Sequence, residues 1–142
     1  MLQLVYSSLG TEQLPERDLK RLLTRSRIRN AEAGLSGVLL HSSGSYLQLL
    51  EGDHRAVEAT FARIASDKRH SDIKILLRTE DVNRRTFGDW AMGFINPSAL
   101  TIMRQGSFAF DGVKDFSSLS PEEAKRVLLD CRAASVDNVI LA

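Results

Sequence analysis

The sequence predicts an α+β protein of the ferredoxin-like class: a β-α-β-β-α-β-β sheet with two helices on one face and a C-terminal helical extension on the other. Three observations carry that expectation. Short runs of alternating apolar and polar residues are interleaved with two segments of helical period. The runs "LSGVLLH" and "SYLQLLE" flank Ser42-Ser43-Gly44, a strong hairpin signal. The chain has 142 residues, 43% of them hydrophobic and 26% charged, which suits one domain with one true core.

Each element has its own justification. "LQLVYS" opens as a strand, with Leu2, Leu4 and Tyr6 on one face and Gln3, Val5 and Ser7 on the other. After a break at Gly10-Thr11, Pro15 suits the first turn of a helix, and Glu16 and Asp18 favour its positive end. Leu19, Leu22, Leu23 and Ser26 form its inward stripe, and Gly34 is placed to end it. The hairpin follows. A second helix spans "HRAVEATFARIASD", with Val57, Phe61, Ile64 and Ala65 on one stripe. "DIKILLRTE" reads as a fourth strand, and "RTFGDWAMGFI" leads into a fifth, with Trp90, Met92 and Phe94 alternating onto one face.

Helices on one face leave Val5, Leu47 and Leu49 on the other in need of cover. A segment starting at Pro121 and Glu122 can supply it, because Ala124, Val127, Leu128 and Cys131 share one side. The expected organisation is therefore residues 1–95 as the principal domain and 96–142 as an extension packed on the sheet, with an irregular linker from Asn96 to Ser120.

Composition narrows the function classes. Nineteen basic residues against eighteen acidic ones give a net charge of +1, so no global field favours nucleic acid. The single cysteine excludes an intrachain disulfide and any multi-cysteine metal site. No apolar run approaches a membrane span, and "MLQLVYSS" lacks the layout of a signal peptide. A reduced, cytoplasmic setting is expected. Glycine-rich phosphate loops are absent, and His41, His54 and His70 share no metal-site spacing. Glu51 and Asp53 read as turn and helix-entry residues rather than a catalytic carboxylate pair.

One polar residue stands out. Gln48 shares a strand face with Tyr46 and Leu50, and leaving a buried amide unsatisfied costs about 1–3 kcal/mol. In phase with it, on the helix-facing side, is the phenol of Tyr6. The two residues either satisfy each other and nearby backbone, or they face a polar ligand in the slot between the helices. Asn30, near the end of the first helix, joins that ligand or serves as a C-cap. Arg63, Lys68, Arg69 and His70, with Asp67 among them, either form a solvated helix end or hold a phosphate at the mouth of the slot.

Four fragments taken together go further: Tyr6, "RNAEAGLSGVLL" at 29–40, "YLQLLEG" at 46–52 and "WAMGF" at 90–94, with "SDKRH" at 66–70 as a fifth. Their order and spacing resemble the BLUF family of blue-light sensors using FAD, over residues 1 to about 95. The resemblance implies a non-enzymatic photoreceptor that binds FAD between the two helices. It implies Tyr6 and Gln48 as the photoactive pair beside the flavin and Asn30 on its pyrimidine edge. Ser26 falls close to the ring, and Arg63, Asp67, Arg69 and His70 near its ribityl-phosphate part. Met92 and Trp90 match the methionine and tryptophan through which such domains signal. The implied mechanism is light-driven transfer of an electron and a proton from Tyr6, relayed by the Gln48 amide, which leaves a rearranged hydrogen bond and a red-shifted spectrum. Arg29, His41, Tyr46 and Ala91 depart from the residues most frequent at their positions. Output is expected through a homo-oligomer, a dimer or larger, or through a separate downstream protein.

Overall fold

The computed structural model describes residues 1–10, 16–42, 44–88, 90–95 and 115–134. Pro15, Thr11 and Ser43, the linker over 96–114 and the side chains of Phe94 and Cys131 lie outside the described residues. The elements are β1 (Leu2–Gly10), α1 (Glu16–Ala33), β2 (Ser36–Ser42), β3 (Ser45–Gly52), α2 (His54–Ala65), β4 (His70–Thr79) and β5 (Gly93–Ile95). A short 3-10 turn (Phe116–Ser118) and a last helix, α3 (Pro121–Ala134), follow.

The strands form one sheet in the order β4-β1-β3-β2-β5. β1 runs antiparallel to both β3 and β4, and β2 antiparallel to β3. Strands β1 and β2 are therefore mutually parallel and joined through α1, while β3 and β4 are parallel and joined through α2. These are two interleaved split β-α-β units, the ferredoxin-like arrangement. The preferred hand of such crossovers sends both helices to the same face. β5 adds a parallel edge beside β2.

Two cores follow from strand alternation. The helix-facing one holds Leu2, Leu4, Tyr6 and Leu50 of the sheet with Leu23 of α1 and Val57 of α2. The other holds Val5, Val38, Leu40, Leu47 and Leu49 against Phe116, Leu119, Ala124, Val127 and Leu128. The expected cover for the second face is thus present in α3. The turn before it is tied down by Phe116 N–H donating to Ser45 Oγ at 3.1 Å and by Lys74 Nζ donating to the Ser117 carbonyl at 3.0 Å.

The helix termini follow local chemistry. Gly34 has φ of +70°, and Leu35 N–H bonds back to the Asn30 carbonyl at 2.7 Å while Gly34 N–H bonds to Ala31 at 3.2 Å. That is a Schellman ending. Asn30 is consequently a residue of the last helical turn and not the C-cap itself. Asp53 caps α2 by accepting from the N–H groups of Arg55 and Ala56.

Three sequence-based expectations need correction. Ala65 is exposed, and Thr60 is buried on the inward stripe of α2 in its place. Glu51 is not a turn residue: it belongs to β3, is 0% exposed, and its carboxylate accepts from the N–H groups of Thr86 and Phe87. Trp90 and Met92 do not share a face. β5 begins only at Gly93, and Trp90 N–H bonds to the Phe87 carbonyl at 2.9 Å in an irregular turn where strand alternation has no meaning. Trp90 joins the core beneath α3, while Met92 joins the one beneath α1 and α2.

Gly37 supplies a test of the β2–β3 packing. A Cβ there would lie 2.1 Å from the Leu49 carbonyl oxygen, a backbone atom that cannot move aside. Gly37→Ala is expected to cost about 3 kcal/mol, the upper end for overpacking, measured as a lowered urea midpoint. A loss below about 0.5 kcal/mol would show that the two strands can separate without penalty.

Candidate functional site

The slot between α1 and α2 is open to solvent. Leu22 and Leu23 of α1, Ile64 of α2, Leu39 of β2 and Met92 supply apolar walls, and Gln48 and Ser8 line it from the sheet. Ser26, Asn30 and Arg29 line it from α1, and Thr60, Arg63, Asp67, Arg69 and His70 from α2 and the turn beyond. A slot with apolar walls, a few convergent amides and hydroxyls, and guanidiniums in its lining suits a partly apolar organic ligand that also carries anionic groups.

Gln48 sits at the floor. β1 and β3 are in register with Tyr6 opposite Gln48, so both side chains leave the sheet on the helix side at the same level. The Tyr6 hydroxyl donates to Gln48 Oε1, and Gln48 Nε2 donates to Met92 Sδ at 3.7 Å. The Tyr6 ring is held edge-on by Phe61 of α2, with centroids 5.0 Å apart. Burial pushes the Tyr6 phenol well above its ordinary value, so it remains a proton donor across the physiological range. Tyr6 does not itself line the slot; Gln48 stands between it and the space a ligand would take.

Asn30 is buried, and its Nδ2 donates to the Ala91 carbonyl at 2.8 Å. The neighbouring Met92 carbonyl accepts from Arg27 Nε at 2.6 Å. Both α1 residues therefore hold the stretch leading into β5, an anchoring role that the sequence did not reveal for Arg27. At the rim, Asp67 accepts from the Arg69 guanidinium and backbone, and the side-chain hydrogen bond to Arg69 holds its carboxyl down at about 2. His70 is the first residue of β4, and its Nε2 lies 2.6 Å from the Ile64 carbonyl at the end of α2. Arg29 of α1 and Arg63 of α2 both line the slot, so its lining carries three guanidiniums (Arg29, Arg63, Arg69) against one carboxylate (Asp67). Tyr46, opposite His41 in the hairpin, also lines the slot, and its ring stacks on the imidazole with centroids 4.5 Å apart.

Of the ten residues singled out from the sequence, eight line this slot: Ser26, Asn30, Gln48, Arg63, Asp67, Arg69, His70 and Met92. Tyr6 lies behind Gln48. Trp90 is elsewhere, packed on Phe87 with ring centroids 5.2 Å apart beneath α3. Thr60 and Arg29 were missed as lining residues; Thr60 lies three residues before Arg63 and Arg29 three after Ser26, a helical offset that would have found them.

Fold and slot together define a small α+β domain of the ligand-binding kind, with an amide in the slot and a phenol behind it. The family model described as sensors of blue-light using FAD matches residues 1–93. The chain belongs to the BLUF family. It is 30% identical over 136 residues to photoactivated adenylate cyclase subunit beta of Euglena gracilis, an alignment covering 89% of this chain and 15% of that protein. The chain thus spans a small part of those cyclase subunits. Among solved structures, the dark state of the BLUF protein BlrB superposes with a TM-score of 0.77 at 28% identity, covering 95% of this chain and 96% of that one. The ground state of BlsA gives 0.76 at 26% identity, covering 92% and 86%. The ligand is accordingly FAD, and the residues present fit it: apolar walls for the tricyclic ring, amides for its polar edge and guanidiniums for its phosphates.

The rim gives a pH test. Asp67 has a folded value of about 2, below its ordinary 3.8, so its pairing with Arg69 stabilises the protein fully above the ordinary value. That contribution is expected to disappear as pH falls from about 4 to about 2. A carboxyl-carbon NMR titration of Asp67 should have its midpoint near 2, and Asp67→Asn should flatten the stability profile in that window. A midpoint at 3.8 would mean the pair does not form in solution.

Proposed function

We propose that this chain is a non-enzymatic blue-light photoswitch whose moving part is the Gln48 amide. The observation that carries the reading is that one buried amide bridges the Tyr6 hydroxyl and Met92 sulfur at the floor of the flavin slot. FAD, when bound, supplies the light absorption and an electron acceptor in its excited state. Tyr6 is the adjacent donor. A Tyr6 that has given up an electron would also release its hydroxyl proton, and Gln48 Oε1 is the atom placed to take it. On return, Tyr6 would regain the electron and take a proton from Nε2 of the turned amide, which leaves that group as its imidic tautomer with the proton on oxygen. The turned group would present oxygen in place of nitrogen toward the slot, which changes the hydrogen bond offered at the ligand's edge.

In this reading Ser26, Asn30 and Thr60 position the ring, and Arg63, Asp67, Arg69 and His70 border the ribityl-phosphate part. Met92 carries the change to β5, and Trp90 lies on its further path. Residues 1–95 form the photosensory domain, and 96–142 an extension that belongs to its output. The signal leaves through a homo-oligomer or to a separate protein, in the cytoplasm. Supporting that setting, no described helix is long and apolar enough to cross a membrane.

The purified full chain with FAD is expected to be yellow and to show a reversible red shift of its visible band under blue light. Gln48→Leu and Tyr6→Phe should keep FAD and the fold yet lose the shift; a shift that survives Gln48→Leu would refute the amide as switch. A second expectation concerns the rim. Raising ionic strength from low to about 1 M should weaken FAD binding several-fold by screening the guanidiniums, and leave riboflavin, which has no phosphate, unaffected. Equal salt dependence for both, followed by flavin fluorescence, would remove the phosphate role of Arg63 and Arg69.

A further inference from the structure

The segment from Arg85 to Met92 is gripped from both sides of the sheet. On the slot side, Asn30 holds the Ala91 carbonyl, Arg27 holds the Met92 carbonyl, and Gln48 reaches the Met92 sulfur. On the opposite side, the Arg132 guanidinium of α3 lies over two rings at once, 4.9 Å from the Trp90 centroid and 5.2 Å from that of Phe87. The two grips fall on adjacent residues at their closest, Trp90 and Ala91.

The base of the segment does not move freely. The Glu51 carboxylate takes both the Thr86 and Phe87 N–H groups, at 2.5 to 3.3 Å. Arg85 clamps the Gly34 carbonyl at 2.6 Å and Ser36 Oγ at 2.9 Å. Phe87 is thereby fixed to the sheet. The Trp90 backbone is tied to Phe87 through its N–H and to β2 through its carbonyl, which accepts from Gly37 N–H, both at 2.9 Å. Asn30, Arg27 and Gln48 hold the two residues that follow it. A displacement at Ala91–Met92 therefore acts first on the Trp90 side chain next to it, and Arg132 spans that ring and Phe87.

We infer that Arg132 is the positioning residue through which α3 senses the state of the flavin slot, by the cation's shared hold on Phe87 and Trp90. The proposal rests on the photoswitch reading and adds to it a specific contact for output. A guanidinium stacks on both ring faces and keeps its charge at any pH; that charge also acts on the Glu51 carboxylate that fixes the base of the segment. When Trp90 shifts relative to Phe87, Arg132 keeps one ring and loses the other, and the last turn of α3 loosens.

The experiment uses the full chain with FAD and two independent readouts. The visible absorption shift reports the slot. Hydrogen exchange over 121–134 reports α3, and emission from Trp90, the chain's only tryptophan, reports the link. In the natural protein, light should change exchange in the last turn of α3 by at least about threefold, with a change in Trp90 emission. Arg132→Gln should leave the absorption shift intact and abolish the light-dependent difference in α3; Arg132→Lys should restore part of it. Arg132→Met, which keeps the aliphatic stem, carries the same expectation if the glutamine variant fails to fold. A light-dependent difference in α3 that persists in these neutral variants overturns the proposal, as does its absence in the natural protein when the absorption shift is present. A missing absorption shift in the natural protein instead overturns the photoswitch reading.

Discussion

The hydrogen bond from Tyr6 to Gln48 is the constraint around which the site is arranged. It exists because β1 and β3 pair in a register that sets the two residues directly opposite, on the face covered by α1 and α2. A one-residue slip of either strand would send its member of the pair to the other side, under α3, and break the bond. Gly37 enforces close approach of β2 to β3, and the alternating apolar residues on both faces penalise any other register. A buried amide that must be satisfied then has one partner across the strand pair and one in Met92, with its plane facing the slot.

Two-sided burial of the sheet gives this arrangement its reach. In a sheet with one wet face, a displaced residue on the edge would have nothing to press against. Here the stretch before β5 contacts both cores within three residues: Trp90 under α3, and Met92 under α1 and α2. Buried Glu51 pays a desolvation cost that raises its carboxyl, offset in part by the Thr86 and Phe87 N–H groups and by the charges of Arg85 and Arg132. A carboxylate retained there at such a cost pins the base of the stretch and leaves its far end to the slot residues.

The extent to which this was legible in advance differs by element. The strands, both principal helices and the cover over the second face follow from period and parity, and Tyr6 and Gln48 were marked by being polar where alternation demanded burial. The misplacement of Trp90 has a plain cause. Alternation holds only for an extended chain, and the residues between Thr79 and Gly93 are irregular, so the pattern of Trp90, Met92 and Phe94 carried no facial information. Glu51 was misassigned because a carboxylate before Gly52-Asp53 looks like turn chemistry; its partners are backbone groups 35 and 36 residues away. Arg27 and Arg29 looked like a solvated charge run, and only their distance from β5 and from the slot distinguishes them from Arg25.

By itself, the sequence determined which residues face which side of β1 and β3 and, Ala65 apart, of α1 and α2, because burial of apolar side chains with a period of 2 or 3.6 admits few alternatives. It also determined that a phenol and an amide stand among them. What only the tertiary structure decided is which polar groups meet: Tyr6 with Gln48, Asn30 and Arg27 with the backbone before β5, Glu51 with Thr86 and Phe87, Arg132 with Trp90. Hydrophobic burial is non-directional and can be inferred from pattern, whereas a hydrogen bond or a cation over a ring requires two groups, distant along the chain, to arrive within a few ångströms and in the right orientation.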